Sequence, residues 1–426
     1  MAAGRRKIDA SKPRERILGA ARDLFGQRGV QAVGVDEIAA AADSNKMTLY
    51  RHFGSKENLA IACLRAVVDE IDRKWQASGL RDDPAGVLDD WIVKMAKGCA
   101  SGDSHSELIF AVFRQAREDA AARPLLDAFI TRHRKRMSET CRGSGIADGE
   151  VLSDALMLLA HGIRANPWGL ASAGRAALFS SRARLLVKLF KERPAAPKSP
   201  VAFARSRPGG KRAAAPAPRY NPRPRERILT AACALFQKHG VQDASVDEIA
   251  AVANSNKMTL YRHFGSKENL AVLCFKAALA EADGLLKEID TVHAGDAAAQ
   301  LQSYVRLIAD ALAQTDPCLE MIGMAMKAMR AEELGQGLMR DFEMRERKRL
   351  ARICRSLGAA DFEALADILI LVLHGIDADP WGLSGARQSA LYLSLADRIV
   401  DVFRVRPVKV AKRRVRASVM QQRRAT

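Results

Sequence analysis

The sequence predicts an all-α protein built from two copies of one helical unit, and three observations lead there. Apolar residues recur at helical spacing while dense β-branched alternation is scarce, and aromatic residues make up only 5% of the chain. Long stretches return unchanged further along. Pro13-Arg14-Glu15-Arg16-Ile17-Leu18 reappears as Pro224-Arg225-Glu226-Arg227-Ile228-Leu229, and Ser44 to Ala60 reappears as Ser255 to Ala271, both at an offset of 211. His161-Gly162-Ile163 and Pro167-Trp168-Gly169-Leu170 return at an offset of 213, as His374-Gly375-Ile376 and Pro380-Trp381-Gly382-Leu383. A period this long marks a duplicated domain rather than a solenoid.

Within the first copy, Ile17, Leu18, Ala21, Leu24 and Phe25 form one apolar stripe of a helix that Gly29 ends with a left-handed φ. A second helix is expected from about Val35 to Ala42, burying Val35, Ile38 and Ala39. Its cap is Gly34 in copy one. In copy two Ser245 takes that place, with Glu248 completing a Ser-x-x-Glu capping box. After a turn at Asp43-Ser44, Asn45 caps a third helix from Lys46 to Phe53. Leu49 and Phe53, four apart, face inward. Lys46, Met47, Thr48, Tyr50, Arg51 and His52 then form a basic, hydrogen-bonding outer face. A short helix of that kind suits a DNA major groove. A long helix should run from Lys56 to about Ala77, followed by helical segments near 84–98, 104–120, 122–142, 150–164 and 175–191. The last two have copy-two counterparts near 361–376 and 386–404.

Charge sharpens the picture. The chain has 426 residues and a formal net charge of +19, and most of that excess lies in two segments. Residues 191–225 carry ten Lys/Arg against Glu192 alone, and residues 404–426 carry nine against no acid. Such segments hold too few large apolar groups to fold alone, and they suit phosphate contacts that gain affinity by counterion release. The bland alternative is solubility and spacing. The seven cysteines are scattered without metal or redox spacing, and no apolar run approaches the roughly 20 residues of a membrane span. With no apolar core behind the first residues either, a cytoplasmic protein with reduced thiols is expected.

These residues resemble the tetracycline-repressor (TetR) family of bacterial regulators. The resemblance runs over Arg16 to Phe25, Gly29, Val35 to Ala39 and Thr48 to Leu59, and again from Arg227 to Leu270. Two positions depart from it: Asp43 or Asn254 stands where the family has a turn glycine, and Ser44 or Ser255 follows where it has an apolar residue. Asp and Asn both tolerate the left-handed region. The resemblance implies two DNA-reading heads, at 1–55 and 224–266. It also implies helical effector and dimerisation bodies at 56–193 and 267–405, a linker at 194–223 and a disordered basic tail at 406–426. The double-stranded DNA contacts would come from Asn45, Lys46, Met47, Thr48, Tyr50, Arg51, His52 and Lys56, and from Asn256, Lys257, Met258, Thr259, Tyr261, Arg262, His263 and Lys267. By family likeness Tyr50, Lys56, Tyr261 and Lys267 contact phosphate. The alternative for Tyr50 is a half-buried core residue, and for the histidines a structural or phosphate-touching role rather than pH sensing.

Family likeness also puts the last two helices of each copy in a four-helix dimer bundle. The runs Leu156–Leu159 and Ile368–Leu373 are apolar enough for it, though ordinary core would look the same. Because the copies share a chain, they are expected to pair internally as a pseudo-dimer, with a homodimer of chains as the other arrangement. The thirty-residue linker has a root-mean-square span of roughly 30 Å, enough to favour the internal pairing. A small apolar effector is expected in the bodies, near Met321 and Met324 in copy two and near Trp91 and Phe113 in copy one, although methionine stripes are also plain core. No cofactor or metal is expected. No phosphate loop or catalytic set points to an enzyme, and the repeated His161 and His374 read as packing groups. The expectation is therefore a sequence-specific transcriptional regulator, a repressor released by its effector. A nonspecific or architectural DNA-binding protein is the rival.

Overall fold

The computed structural model describes residues 12–77, 83–100, 122–193, 223–314, 317–378 and 381–404, apart from the side chains of 237, 317, 327 and 331. The expected helix at 104–120, the linker and the tail lie outside these residues. So does Phe113. Among the described residues the chain is helical throughout, with one isolated bridge between Ala359 and Arg404. Copy one comprises α1 (Pro13–Arg28), α2 (Val35–Ala41), α3 (Lys46–Phe53), α4 (Lys56–Gln76), α5 (Pro84–Ala100), α6 (Arg123–Gly143), α7 (Gly149–Ala165) and α8 (Ser172–Glu192). Copy two comprises α9 (Pro224–Asp243), α10 (Val246–Val252), α11 (Lys257–Phe264), α12 (Lys267–Val292), α13 (Ala297–Ala313), α14 (Pro317–Ala331), α15 (Glu333–Ser356), α16 (Phe362–Asp377) and α17 (Gly385–Phe403).

Each head is a three-helix cluster closed by the start of the long helix behind it. Ile17, Phe25, Ile38 and Leu49 are fully buried together with Leu59, Cys63 and Leu64 of α4. The head core thus extends three turns into α4, past residue 55. Details differ from the sequence reading. Gly29 and Gly240 have the positive φ expected, but their ψ values of 159° and 165° are extended, so the chain leaves straight rather than curling back. The second helix stops at Ala41, one residue early. Ser245 Oγ accepts from Asp247 N, one residue short of the Glu248 amide that a capping box uses.

The two bodies meet along α7 and α16, whose apolar runs are buried on both sides. Gly162 and Gly375 set the closeness of that crossing. A Cβ at Gly162 would overlap the carbonyl oxygen of Leu371, and one at Gly375 would overlap that of Leu158. The contact is reciprocal, since each member of one pair stands 213 residues from its counterpart in the other. The same exchange recurs at the rim. Arg134 pairs with Asp154 of its own copy at 2.6 Å and lies 4.3 Å over the ring of Trp381. Arg347 pairs with Asp367 at 2.5 Å and lies 4.6 Å over Trp168. Trp168 and Trp381 therefore each cover an arginine of the opposite copy, through cation–π contact.

Other cross-copy contacts break this symmetry. Asp367, with no exposed side-chain surface, also accepts from Arg182 of α8 at 2.7 Å. The corresponding residue in copy two is Leu395. Asp154 keeps a single arginine, and burial raises its carboxyl above the usual range against the pull of Arg134. Arg398 of α17 binds Asp148 at 2.8 Å and lies over Phe190, while Arg193 donates to the carbonyl of Val402 at 2.6 Å.

Candidate nucleic-acid interface

The outer faces of α3 and α11 are built alike, each helix lying within the seventeen residues that repeat unchanged. Asn45 Oδ1 accepts from Thr48 N at 2.8 Å, and Asn256 Oδ1 from Thr259 N at the same distance, so each helix begins on a satisfied side-chain cap. Leu49, Phe53, Leu260 and Phe264 anchor the inner faces. That leaves Met47 and Met258 77% exposed, and Tyr50 and Tyr261 at 38% and 39%. Exposed methionines on a basic helix have no partner in their own fold, and apolar contact with a thymine methyl is the chemistry open to them. Tyr50 is thus neither core nor fully solvated; its hydroxyl end is free to reach a backbone. Arg51, His52, Arg262 and His263 are exposed beside them.

The lysines are held rather than loose. Lys46 meets Asp36 of α2 at 3.2 Å and Lys257 meets Asp247 at 3.3 Å. Both are exposed ion pairs of the kind worth at most about 1 kcal/mol, weak enough to yield to a phosphate. Lys56 Nζ donates to the carbonyl of Val33 at 3.3 Å, and Lys267 Nζ to that of Gln242 at 3.0 Å. These two therefore tie the loop before the second helix to the start of the fourth.

Sequence reasoning missed the clamp behind the turn. Arg16 donates to the carbonyls of Ala42 at 3.1 Å and Asp43 at 3.0 Å, and Arg227 repeats this on Ala253 and Asn254. The turn residues Asp43 and Asn254 have φ of 47° and 46°, the left-handed conformation that their types tolerate. The arginine takes up carbonyls that the turn leaves outside any helix. Arg14 and Arg225, over Phe53 and Phe264 at 5.3 and 5.4 Å, also went unread. Their only sequence signal was that the Pro-Arg-Glu-Arg segment repeats unchanged.

A second candidate site lies in the body of copy two, a cavity of about 120 Å³. Leu286, Ile308, Met326, Met339 and Phe342 supply its apolar wall, and Arg330, Glu343, Glu346 and His374 its polar one. Met321 is exposed and Met324 is not part of the wall, whereas Met326 and Met339 are. On α14 the inward stripe passes through Ile322, Ala325, Met326 and Met329, which turns 321 and 324 aside. Arg330 bridges Asp377 at 2.9 Å and Glu343 at 3.3 Å, and His374 Nε2 lies 3.4 Å from Glu343. Burial raises both Glu343 and Glu346 to about 7, against the neighbouring arginines, and holds His374 well below the usual histidine range. His374 is accordingly a packed, neutral group. In copy one Trp91 packs edge-on to Phe179 at 6.1 Å. There, Ile130 and His133 stand where copy two has Glu343 and Glu346. His133 stacks on Phe129 at 5.5 Å and meets Trp75 edge-on at 5.7 Å.

Two capped outer helices, each set across a left-handed turn from a buried partner, define a protein of the helix-turn-helix class. A family profile, that of the bacterial regulatory proteins of the tetR family, matches residues 17–63 and 228–273. The family's DNA-binding unit thus occurs twice in this chain, once in each head, as a tandem duplication. Its curated relatives include the activator FasR of Mycolicibacterium smegmatis, 40% identical over 65 residues, which are 15% of this chain and 30% of that one. The repressor Rv3405c of Mycobacterium tuberculosis is 34% identical over 89 residues, or 21% of this chain and 43% of that one. The matches thus span less than half the length of these relatives. Among solved structures, the TetR-family regulator SCO4454 from Streptomyces coelicolor is 19% identical, with 42% of this chain and 95% of that one covered and a TM-score of 0.37. No described helix is long and apolar enough to cross a membrane.

Proposed function

We propose that this chain is a sequence-specific transcriptional regulator whose two copies pair with each other, so that one molecule presents two recognition helices to a near-palindromic operator. The carrying observation is the reciprocal contact of α7 with α16, in which Gly162 and Gly375 exchange contacts with Leu371 and Leu158 and Trp168 and Trp381 exchange arginines. A contact in which residue i meets j while the counterpart of j meets that of i belongs to a twofold pair. Two heads with the same outer residues, related by such an axis, meet inverted half-sites about one helical turn apart, or a multiple of it.

The DNA would be read by Lys46, Met47, Thr48, Arg51 and His52 with their copy-two counterparts, and gripped at the backbone by Tyr50 and Tyr261. Lys56 and Lys267 would share their ammonium groups between loop carbonyls and phosphate. A small, largely apolar effector in the copy-two cavity would release the protein from DNA, making it a repressor. The relatives named above are an activator and a repressor, so direction of control rests on this mechanism alone. Selection of bound duplexes from a random pool tests the proposal. The expected product is one dominant inverted repeat bound at least about 10³-fold better than random DNA. Binding of random duplexes within about tenfold of the best one would favour the architectural reading.

A further inference from the structure

The heads repeat each other closely, yet differ at a partly buried contact between the first and fourth helices. In copy one, Arg22 of α1 reaches Glu70 of α4 at 3.0 Å, and the thiol of Cys63 lies 4.0 Å from the carbonyl of Leu18. In copy two the cysteine returns as Cys274, with its sulfur 3.8 Å from the carbonyl of Leu229. The arginine does not return; its place is taken by Cys233, one helical turn beyond Leu229 on α9. The Cys274 sulfur, set against the Leu229 carbonyl, therefore lies beside the turn of α9 that carries Cys233, and the two thiols come together across the α9–α12 contact.

We propose that Cys233 and Cys274 form a redox-active dithiol, a modification site that takes a two-electron oxidant such as a peroxide and closes to a disulfide joining α9 to α12. The two sulfurs are unequal in the way such a reaction requires. Cys233 is partly exposed, and Cys274 is buried. The neighbouring Cys274 pulls the Cys233 thiol below its usual range, while Cys233 and burial push Cys274 far up. Cys233 is then the attacking sulfur and Cys274 the resolving one. With hydrogen peroxide, the Cys233 thiolate attacks one oxygen, a sulfur–oxygen bond forms, the oxygen–oxygen bond breaks, and hydroxide leaves to become water with the Cys233 proton. Cys274 sulfur next displaces hydroxide from that sulfenic acid; its own proton goes with the hydroxide as the second water. The thiol pair loses two electrons and the peroxide gains them.

Closure has a structural reach. α12 carries Leu270, Ala271 and Cys274 in the head and Ala282 and Leu286 in the wall of the copy-two cavity. A covalent bond at Cys274 thus fixes the first helix of the head to a rod that continues into the body. Copy one, with Arg22 opposite Cys63, is an internal control in the same molecule.

The test is peroxide treatment of the full native chain, followed by alkylation and peptide mapping. The expected result is two fewer alkylatable thiols than the seven in the sequence, one linked peptide pair containing Cys233 and Cys274, and Cys63 still a thiol. Dithiothreitol should reverse it. Amide exchange across α9 to α11 should slow about tenfold in the oxidised protein, with α1 to α3 unchanged. Cys233→Ser, at a partly exposed position, should fold normally and abolish the link, leaving Cys274 alkylatable after unfolding. Over-oxidation of Cys233 without a link, a link from either residue to Cys318, or equal reactivity of Cys63 would each overturn the proposal. None of these readouts involves DNA, so they stand apart from the outcome of operator selection.

Discussion

The two heads and the two bodies of this chain have kept different things. Between the heads, hydrogen bonds repeat almost distance for distance: Asn45 to Thr48 and Asn256 to Thr259, Arg16 to Ala42 and Arg227 to Ala253, Lys46 to Asp36 and Lys257 to Asp247. Between the bodies, the contact that joins them repeats while their interiors do not. Copy two lines a cavity with Glu343, Glu346, Arg330 and His374, whereas in copy one Ile130 and His133, the latter stacked on Phe129, stand in place of the two glutamates. The difference separates an outer surface that is the same in both copies from interiors lined by different residues.

The sharpest break of the comparison is at the heads. Replacing Lys46, Tyr50, Lys257 and Tyr261 together by alanine should abolish specific binding, a loss of about 10³-fold or more, because each lost contact to base or phosphate weakens the complex. The change in one head alone should leave the other half-site protected in a footprint. Retained specific binding by the fourfold variant would remove α3 and α11 as the reading elements.

Next in size is the joint between the bodies. Gly162→Ala with Gly375→Ala puts a methyl against a carbonyl oxygen on each side of the crossing, and such overpacking costs about 1–3 kcal/mol per site. Urea unfolding should show the loss, and the far-ultraviolet spectrum should keep its helical form. A neutral result would mean that α7 and α16 do not pack this closely in solution.

The interiors should respond to pH in opposite directions. Glu343 and Glu346 titrate near 7 in the folded protein, above their unfolded value, so the folded state holds the extra protons and copy two loses stability as pH rises from about 4.5 through 7. His374, held neutral, opposes this below about 6.5 without cancelling two carboxyls. His133 of copy one is lowered to about 4 by burial and by Arg136, so the unfolded state binds the proton first and copy one gains stability as pH rises from about 4 to 6.5. Amide exchange of α15 and α16 against α6 and α7, corrected for the intrinsic rate, separates the two slopes. Glu346→Gln should flatten the copy-two slope by on the order of 2 kcal/mol between pH 5 and 8, and an unaltered slope would contradict the assignment.

The smallest effect tests whether the heads are functionally equal. Asp43 brings a carboxylate to the turn where copy two has the neutral Asn254, close to where phosphates would lie. Asp43→Asn should tighten binding about threefold at low salt and less at high salt, as screening removes a surface charge effect. A looser complex would show that Asp43 contributes through the turn rather than through its charge.

How much of this was legible in the sequence follows from the same contrast. The heads could be read residue by residue because caps, turn and apolar stripe are local signals, and they occur twice. Leu156–Leu159 and Ile368–Leu373 announced burial but not against what, since an apolar run looks the same in a core and in a crossing. Trp168 and Trp381 were visible as repeated turn residues, yet nothing local to a Pro-Trp-Gly turn points to an arginine 179 or 247 residues distant in sequence. The cavity was half visible. A methionine-rich helix was evident, but which methionines turn inward depends on helix rotation, fixed by neighbours that no local pattern names. Glu343 and Glu346 carried no signal at all, because a carboxylate on a helix normally faces water.

The central claim is that one chain occupies one operator by pairing with itself. Native mass spectrometry of the protein on its selected duplex tests it most directly, because stoichiometry is read without assuming a shape. The account predicts a complex of one 46.5 kDa chain per duplex, with both half-sites protected. Two chains on a single inverted repeat, each contributing one head, would contradict it.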